Sequence, residues 1–220
     1  MVAKSKRTKS DYFSAVTHTF GLGLMLCIAW VIIYLGYTKN WEMAFGATFF
    51  TVGMLLMYLA SCFYHWAKPE ASGKRALRIL DHCSIYVLIA SSYTPICMGI
   101  IEEDQFVAGW TAFGIIWALS LTGIFLKIFL FERLAKTSLL LYLVLGWSIL
   151  FFIPSVRECI NYWAIFWIFL EGLAYTTGVY FFVHDRDPQH PYYHGIWHIH
   201  VIFGTLFHWA AIVSMSLEPV

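Results

Sequence analysis

The chain has 220 residues, of which 60% are hydrophobic, 19% aromatic and only 12% charged, with a formal net charge of +1. A soluble domain usually carries about 25% charged residues. The composition therefore excludes an ordinary globular core and places the chain in a membrane, with no nucleic-acid partner expected.

The chain opens on a basic segment, residues 1–15, with Lys4, Lys6, Arg7 and Lys9. The apolar run behind it is too long for the core of a signal peptide and lacks a small-residue cleavage site. It reads as a first span over 16–37, with Thr17-His18 at its start. A second span over 43–65 ends in Ser61-Cys-Phe-Tyr-His65, and a third over 79–100 begins with Asp81-His82. A fourth covers 107–130. The fifth, 138–156, is the shortest and ends near Pro154. The sixth, 161–183, carries an isolated Glu171, and the seventh, 194–216, opens with His194-Gly-Ile-Trp-His198. Each is close to the ~20 residues that cross a bilayer. Trp41, Trp66, Trp110, Tyr162, Trp163, Tyr192 and Tyr193 fall at span ends, as aromatic belts do.

Seven spans place alternate loops on opposite sides. One set holds Lys4, Lys6, Arg7, Lys9, Lys68, Lys74, Arg75, Arg78, Lys127, Arg133, Lys136 and Arg186, and the other only Lys39 and Arg157. The positive-inside rule predicts a cytoplasmic N-terminus and an external C-terminus. The expected fold is all-α, an integral membrane seven-helix bundle formed by residues 16–220. Six or eight spans would spoil this charge partition.

Ser61 and His65, like His194 and His198, are four apart and share a helix face. The topology brings His65, Asp81, His194 and His198 to within about 10 Å of the cytoplasmic boundary at ~1.5 Å per residue. Ionisable groups within spans are expensive and mark function by default. Three imidazoles with one open position are a catalytic zinc arrangement, so His65, His194 and His198 are the expected Zn2+ ligands. Asp81 is the expected base or orienting group for a zinc-bound water, and Ser61 an expected oxyanion donor. A single buried histidine more often simply satisfies its own hydrogen bonds. The collection of five groups at one depth is what favours a metal.

His82 points about 100° away from Asp81 on a helix and is expected behind the ligands, as is His18 at the entrance. His208 lies about 15 Å deeper than His198 along its helix and is expected to bond across the bundle. His184, Asp185, Arg186, Asp187 and His190 read as a solvated loop. Glu171 would need a partner that the sequence does not reveal. Cys27, Cys62, Cys83, Cys97 and Cys159 form no C-x-x-C pair and read as small buried apolar side chains. Cys62 and Cys83 flank the polar segments, where either can line the site.

Beyond these residues, the chain resembles the bacterial hemolysin III branch of the progestin and adipoQ receptor superfamily. The resemblance spans nearly the whole chain. It is carried by Ser61-Cys-Phe-Tyr-His65, Leu80-Asp-His-Cys-Ser-Ile-Tyr86, Tyr93-Thr-Pro95, Gly146-Trp147, Tyr175-Thr176 and His194-Gly-Ile-Trp-His198. The pattern of one Ser, one Asp and three His is also similar to that of alkaline ceramidases. The resemblance implies seven helices with the N-terminus inside, zinc on His65, His194 and His198, a bacterial plasma-membrane location, and lipid-amide hydrolysis or membrane lipid homeostasis. Ser14 stands where that family usually has Asn, and Glu171-Gly172 replaces a usual Gly-Gly.

The leading expectation is a zinc-dependent hydrolase of lipid amides whose apolar interior holds an acyl chain admitted from the bilayer. A non-enzymatic membrane-state sensor with structural zinc is the alternative. A cytolytic pore is least favoured, because no span carries a continuous polar stripe.

Overall fold

The computed structural model of the protein describes residues 9–133, 135–185 and 187–217. The helices are α1 (Lys9–Lys39), α2 (Trp41–Trp66), α3 (Lys74–Glu102), α4 (Phe106–Leu130), α5 (Ala135–Gly146), α6 (Ile153–Cys159), α7 (Tyr162–Val183) and α8 (Tyr193–Ser216). A 3₁₀ stretch, Trp147–Phe152, joins α5 to α6, so the three pieces make one span over Thr137–Cys159. Among the described residues seven helices are long and apolar enough to cross a membrane, and the protein is an integral multi-pass membrane protein. The first helix begins at Lys9, ahead of the span expected from residue 16, so residues 9–15 continue it. Lys4, Lys6, Arg7 and Arg186 lie outside the described residues.

Local chemistry sets the tight connections. The Asn40 side chain accepts from the Met43 amide at 2.8 Å and caps α2. Asn161 does the same for the Ala164 amide at 2.7 Å on α7, satisfying a donor that a helix start leaves open. The Asn161 amide also reaches the Ser214 carbonyl at 2.8 Å, tying the start of α7 to the end of α8. At the same end Lys39 pairs with Glu102 at 3.2 Å and donates to the Met215 carbonyl at 2.8 Å, joining α1, α3 and α8.

Helix α3 is the axis of the bundle, packed between α2 and α4. Lipid tails are as apolar as leucine, so close approach of small residues does much of the packing work in a membrane. Gly46 illustrates it, since a Cβ there would lie 2.5 Å from the Pro95 Cα on α3. Helix α1 lies against α2 and α8, and α7 against α8. Met25, Ile32, Phe50, Met54 and Ile212 fill the core that these helices share. Trp41, Trp66, Tyr162 and Trp163 stay exposed at helix ends, as expected of an aromatic belt.

The fifth span is broken for a definable reason. Pro154 has no N–H and its ring crowds the carbonyl four residues earlier, so the helix yields just before it. The groups released by the break are collected by one side chain of α3. The Tyr93 hydroxyl lies 3.0 Å from the Leu145 carbonyl and 2.8 Å from that of Gly146, and it accepts from the Ile149 amide at 2.7 Å and the Ser148 hydroxyl at 3.0 Å. Backbone groups within a bilayer must find protein partners, and Tyr93 is that partner here.

This span leans on α3 and α4 and meets α7 more thinly, through α6 and through Trp147, whose Nε1 donates to Thr176 Oγ1 at 2.9 Å and whose ring packs on Phe169. A cavity of about 1070 Å³ opens behind it. Its wall runs from His65, Asp81 and His194 at one end to Ile153 and Val156 near the other, with a largely apolar lining between.

Candidate metal centre

Each site residue is placed by its helix. Ser61 and His65 occupy the last two turns of α2, Asp81 the second turn of α3, and His194 and His198 the first two turns of α8. Helix α2 arrives at the end of the bundle from which α3 and α8 depart, so all five groups gather there. One ring nitrogen from each of His65, His194 and His198 lies within 4.8 Å of those of the other two. Ring centroids are 5.1 Å apart for His65–His194, 4.8 Å for His65–His198 and 4.7 Å for His194–His198.

Hydrogen bonds determine which nitrogens face the centre. The Nδ1 of His198 lies 3.0 Å from the Ser14 carbonyl, and a carbonyl can only accept, so Nδ1 carries the proton. The Thr17 hydroxyl, itself donating to the same carbonyl, flanks this nitrogen at 3.1 Å. The Nδ1 of His194 lies 2.7 Å from Asp185 Oδ2 and likewise donates. Both rings therefore keep Nε2 as the free electron pair. His65 Nε2 is buried without a hydrogen-bond partner. An orphaned, buried imidazole nitrogen within reach of two others is costly unless something binds it. This donor set fits a metal ion such as zinc, with Asp185 and the Ser14 carbonyl as the outer partners that ligating histidines usually have.

Beside the triad runs a second chain of polar groups. His18, which sequence reasoning placed at the entrance, is buried and stacks on His198 with centroids 3.6 Å apart. Its Nδ1 lies 2.6 Å from Ser61 Oγ, and Asp81 is an electrostatic neighbour of Ser61. Either the His18 ring or the Ser61 hydroxyl can donate in the His18–Ser61 bond, according to the His18 tautomer. Ser61 and Asp81 both line the cavity.

Other expectations resolve differently. His82 lines the cavity and packs its ring on Phe131 and on Phe182, which in turn meets the His194 ring. Cys62 lies 3.8 Å from the Thr19 hydroxyl, Cys83 faces the Ile124 carbonyl, and neither lines the cavity. Cys27 is exposed rather than buried. Asp185, read from sequence as a solvated loop residue, instead holds His194. The available signal was chemical, since a ligating histidine needs an Nδ1 partner and Asp185 lies in the loop leading into α8. The Ser14 departure does not disturb His198, because the bond uses the Ser14 backbone.

Seven apolar helices among the described residues and a largely buried three-histidine cluster beside a cavity define a polytopic membrane protein with a site able to chelate a metal ion. The haemolysin-III related family matches residues 6–209. A hemolysin-3 homolog of Bacillus subtilis is 34% identical over 200 residues, covering 90% of each chain. Hemolysin-3 of Bacillus cereus is 32% identical over 208 residues, covering 93% of this chain and 91% of that one. The human monocyte to macrophage differentiation factor is 27% identical over 182 residues, covering 78% and 70%. The chain belongs to the haemolysin-III related family.

Proposed function

We propose that the protein is a zinc-dependent hydrolase of membrane lipids carrying an acyl-amide bond. The observation that carries this reading is the juxtaposition of three converging imidazoles with Asp81 and the His18–Ser61 pair at one end of a largely apolar cavity. His65, His194 and His198 would hold the ion, which when bound supplies Lewis acidity and an acidified water.

The chain's own residues do the rest. The cavity takes up the acyl chain and leaves the amide at the triad end. Asp81 accepts a proton from the attacking water as its oxygen bonds the acyl carbon. It then returns that proton to the leaving nitrogen as the carbon–nitrogen bond breaks, giving a fatty acid and an amine. Ser61, beside Asp81, would offer its hydroxyl to the developing oxyanion. His18 fixes Ser61 in turn.

The test is fatty-acid release from N-acyl lipids by zinc-loaded protein in lipid nanodiscs. Asp81→Asn should keep most of the metal and lose ~10²–10⁴-fold in turnover, the usual contribution of general acid–base catalysis. Ser61→Ala should cost less.

One observation favours a second reading, a non-enzymatic sensor with structural zinc. The ligands come from α2 and α8, which otherwise meet along only a short stretch, so an ion would clamp two helices. That reading predicts no zinc-dependent product from any lipid and a looser bundle in Asp81→Asn. A broad lipid screen without product would retire the hydrolase.

A further inference from the structure

Deep in the same cavity lies a second polar site that the chemistry at the triad does not use. Glu171, roughly midway along α7, accepts from His208 Nδ1 of α8 at 2.7 Å. The His208 side chain is 1% exposed and that of Glu171 11%, and both line the cavity. His208 Nε2 is buried and has no hydrogen-bond partner. The ring sits against Phe50 with centroids 4.4 Å apart.

A carboxylate and an imidazole in a bilayer interior are costly to bury, and their mutual attraction seldom repays the whole desolvation. Paired only with each other, they leave unused hydrogen-bonding capacity at His208 Nε2 and at the second Glu171 oxygen. Tyr175, one turn from Glu171, also lines the cavity and packs beside Gly204. Between this pair and the triad the wall is largely apolar, with Leu88, Val179 and Val201 contributing. The cavity thus offers polar contacts at two depths separated by hydrocarbon.

We propose that Glu171 and His208 form a subsite for a hydroxyl group carried part-way along the chain of a lipid ligand. This rests on the reading that the cavity holds an acyl chain with its polar head at the triad. With Nδ1 donating to Glu171, His208 Nε2 is left to accept, and the free carboxylate oxygen accepts as well. A hydroxyl is the neutral chain substituent that supplies the missing proton. The spacing selects the position. His198 and His208 are ten residues apart on one helix, about 15 Å. An extended carbon chain with ~1.5 Å bonds advances roughly 1.25 Å per bond. The hydroxyl should therefore sit about twelve bonds from the head group.

The experiment is equilibrium binding to full-length, zinc-loaded protein in nanodiscs, using stearate and hydroxystearates with the hydroxyl placed at successive positions. The wild type should prefer one mid-chain isomer by about tenfold over stearate, as one charge-assisted hydrogen bond allows. Isomers hydroxylated near either chain end should bind no better than stearate. Glu171→Leu should bind stearate as well as the wild type does, which also reports its folding, and should lose the preference. Glu171→Gln, which still accepts, should retain part of it. Wild-type protein that binds stearate as tightly as every hydroxystearate overturns the subsite while leaving the acyl-chain reading intact. So does a preference undiminished in Glu171→Leu. If that variant fails to bind stearate, the positional series on the wild type decides alone. Failure of the wild type to bind any of these acids removes the acyl-chain reading and the subsite together.

Discussion

Asp185 Oδ2 lies 2.7 Å from His194 Nδ1, joining the loop after α7 to the first turn of α8. That contact turns the ring so that Nε2 is the nitrogen left for His65 and His198. Outer carboxylates of this kind typically contribute 10- to 100-fold to metal affinity. Asp185→Ala should therefore weaken zinc binding by about that factor while preserving full occupancy at saturating zinc. A competition titration with a chelator of known affinity measures it. An unchanged affinity would show that His194 is not a ligand or does not need this partner.

One zinc per chain is expected in purified protein, and alanine at His65, His194 or His198 should sharply reduce it. Elemental analysis of the wild type against the His194→Ala, His198→Ala double variant is the direct comparison. Equal zinc in the two would move attention to His18, the remaining imidazole at the cluster. Iron or manganese in place of zinc would change only the ion, since imidazole suits several metals.

Tyr93 makes the prediction for stability. Its hydroxyl is shared among the Leu145 and Gly146 carbonyls, the Ile149 amide and the Ser148 hydroxyl. Tyr93→Phe keeps the ring and leaves buried backbone groups without that partner, at about 1–3 kcal/mol for each unsatisfied group. Thermal unfolding in detergent should show a lower midpoint. The loss should exceed that of Thr122→Val, where an exposed hydroxyl bonds only the Ala118 carbonyl of its own helix.

The sidedness of the bundle is testable by reporter fusion. The charge partition predicts an external signal from a fusion at Val220 and a cytoplasmic one from the Lys68–Arg78 loop. A cytoplasmic signal at Val220 would place the metal centre at the other face of the membrane and remove the basis for the predicted orientation.

The seven spans were legible in the sequence because a bilayer demands about 20 apolar residues regardless of what surrounds them. The pairings Ser61/His65 and His194/His198 were legible for an equally local reason, since residues four apart share a helix face. Pro154 marked the weak point of the fifth span through its missing N–H. It gave no sign that the break would become a 3₁₀ stretch held by Tyr93.

Only the tertiary structure decided the partners. His194 with Asp185, His198 with the Ser14 carbonyl, His18 with Ser61, and Glu171 with His208 each depend on the rotation of one helix against another or on the path of a loop. Hydropathy and periodicity carry no information about that rotation, because it is set by side-chain packing across helices far apart in the chain. The sequence by itself determined that polar groups would meet at one end of a membrane bundle. The fold determined which nitrogen of each histidine is left free there, and that a second, deeper pair shares the same cavity.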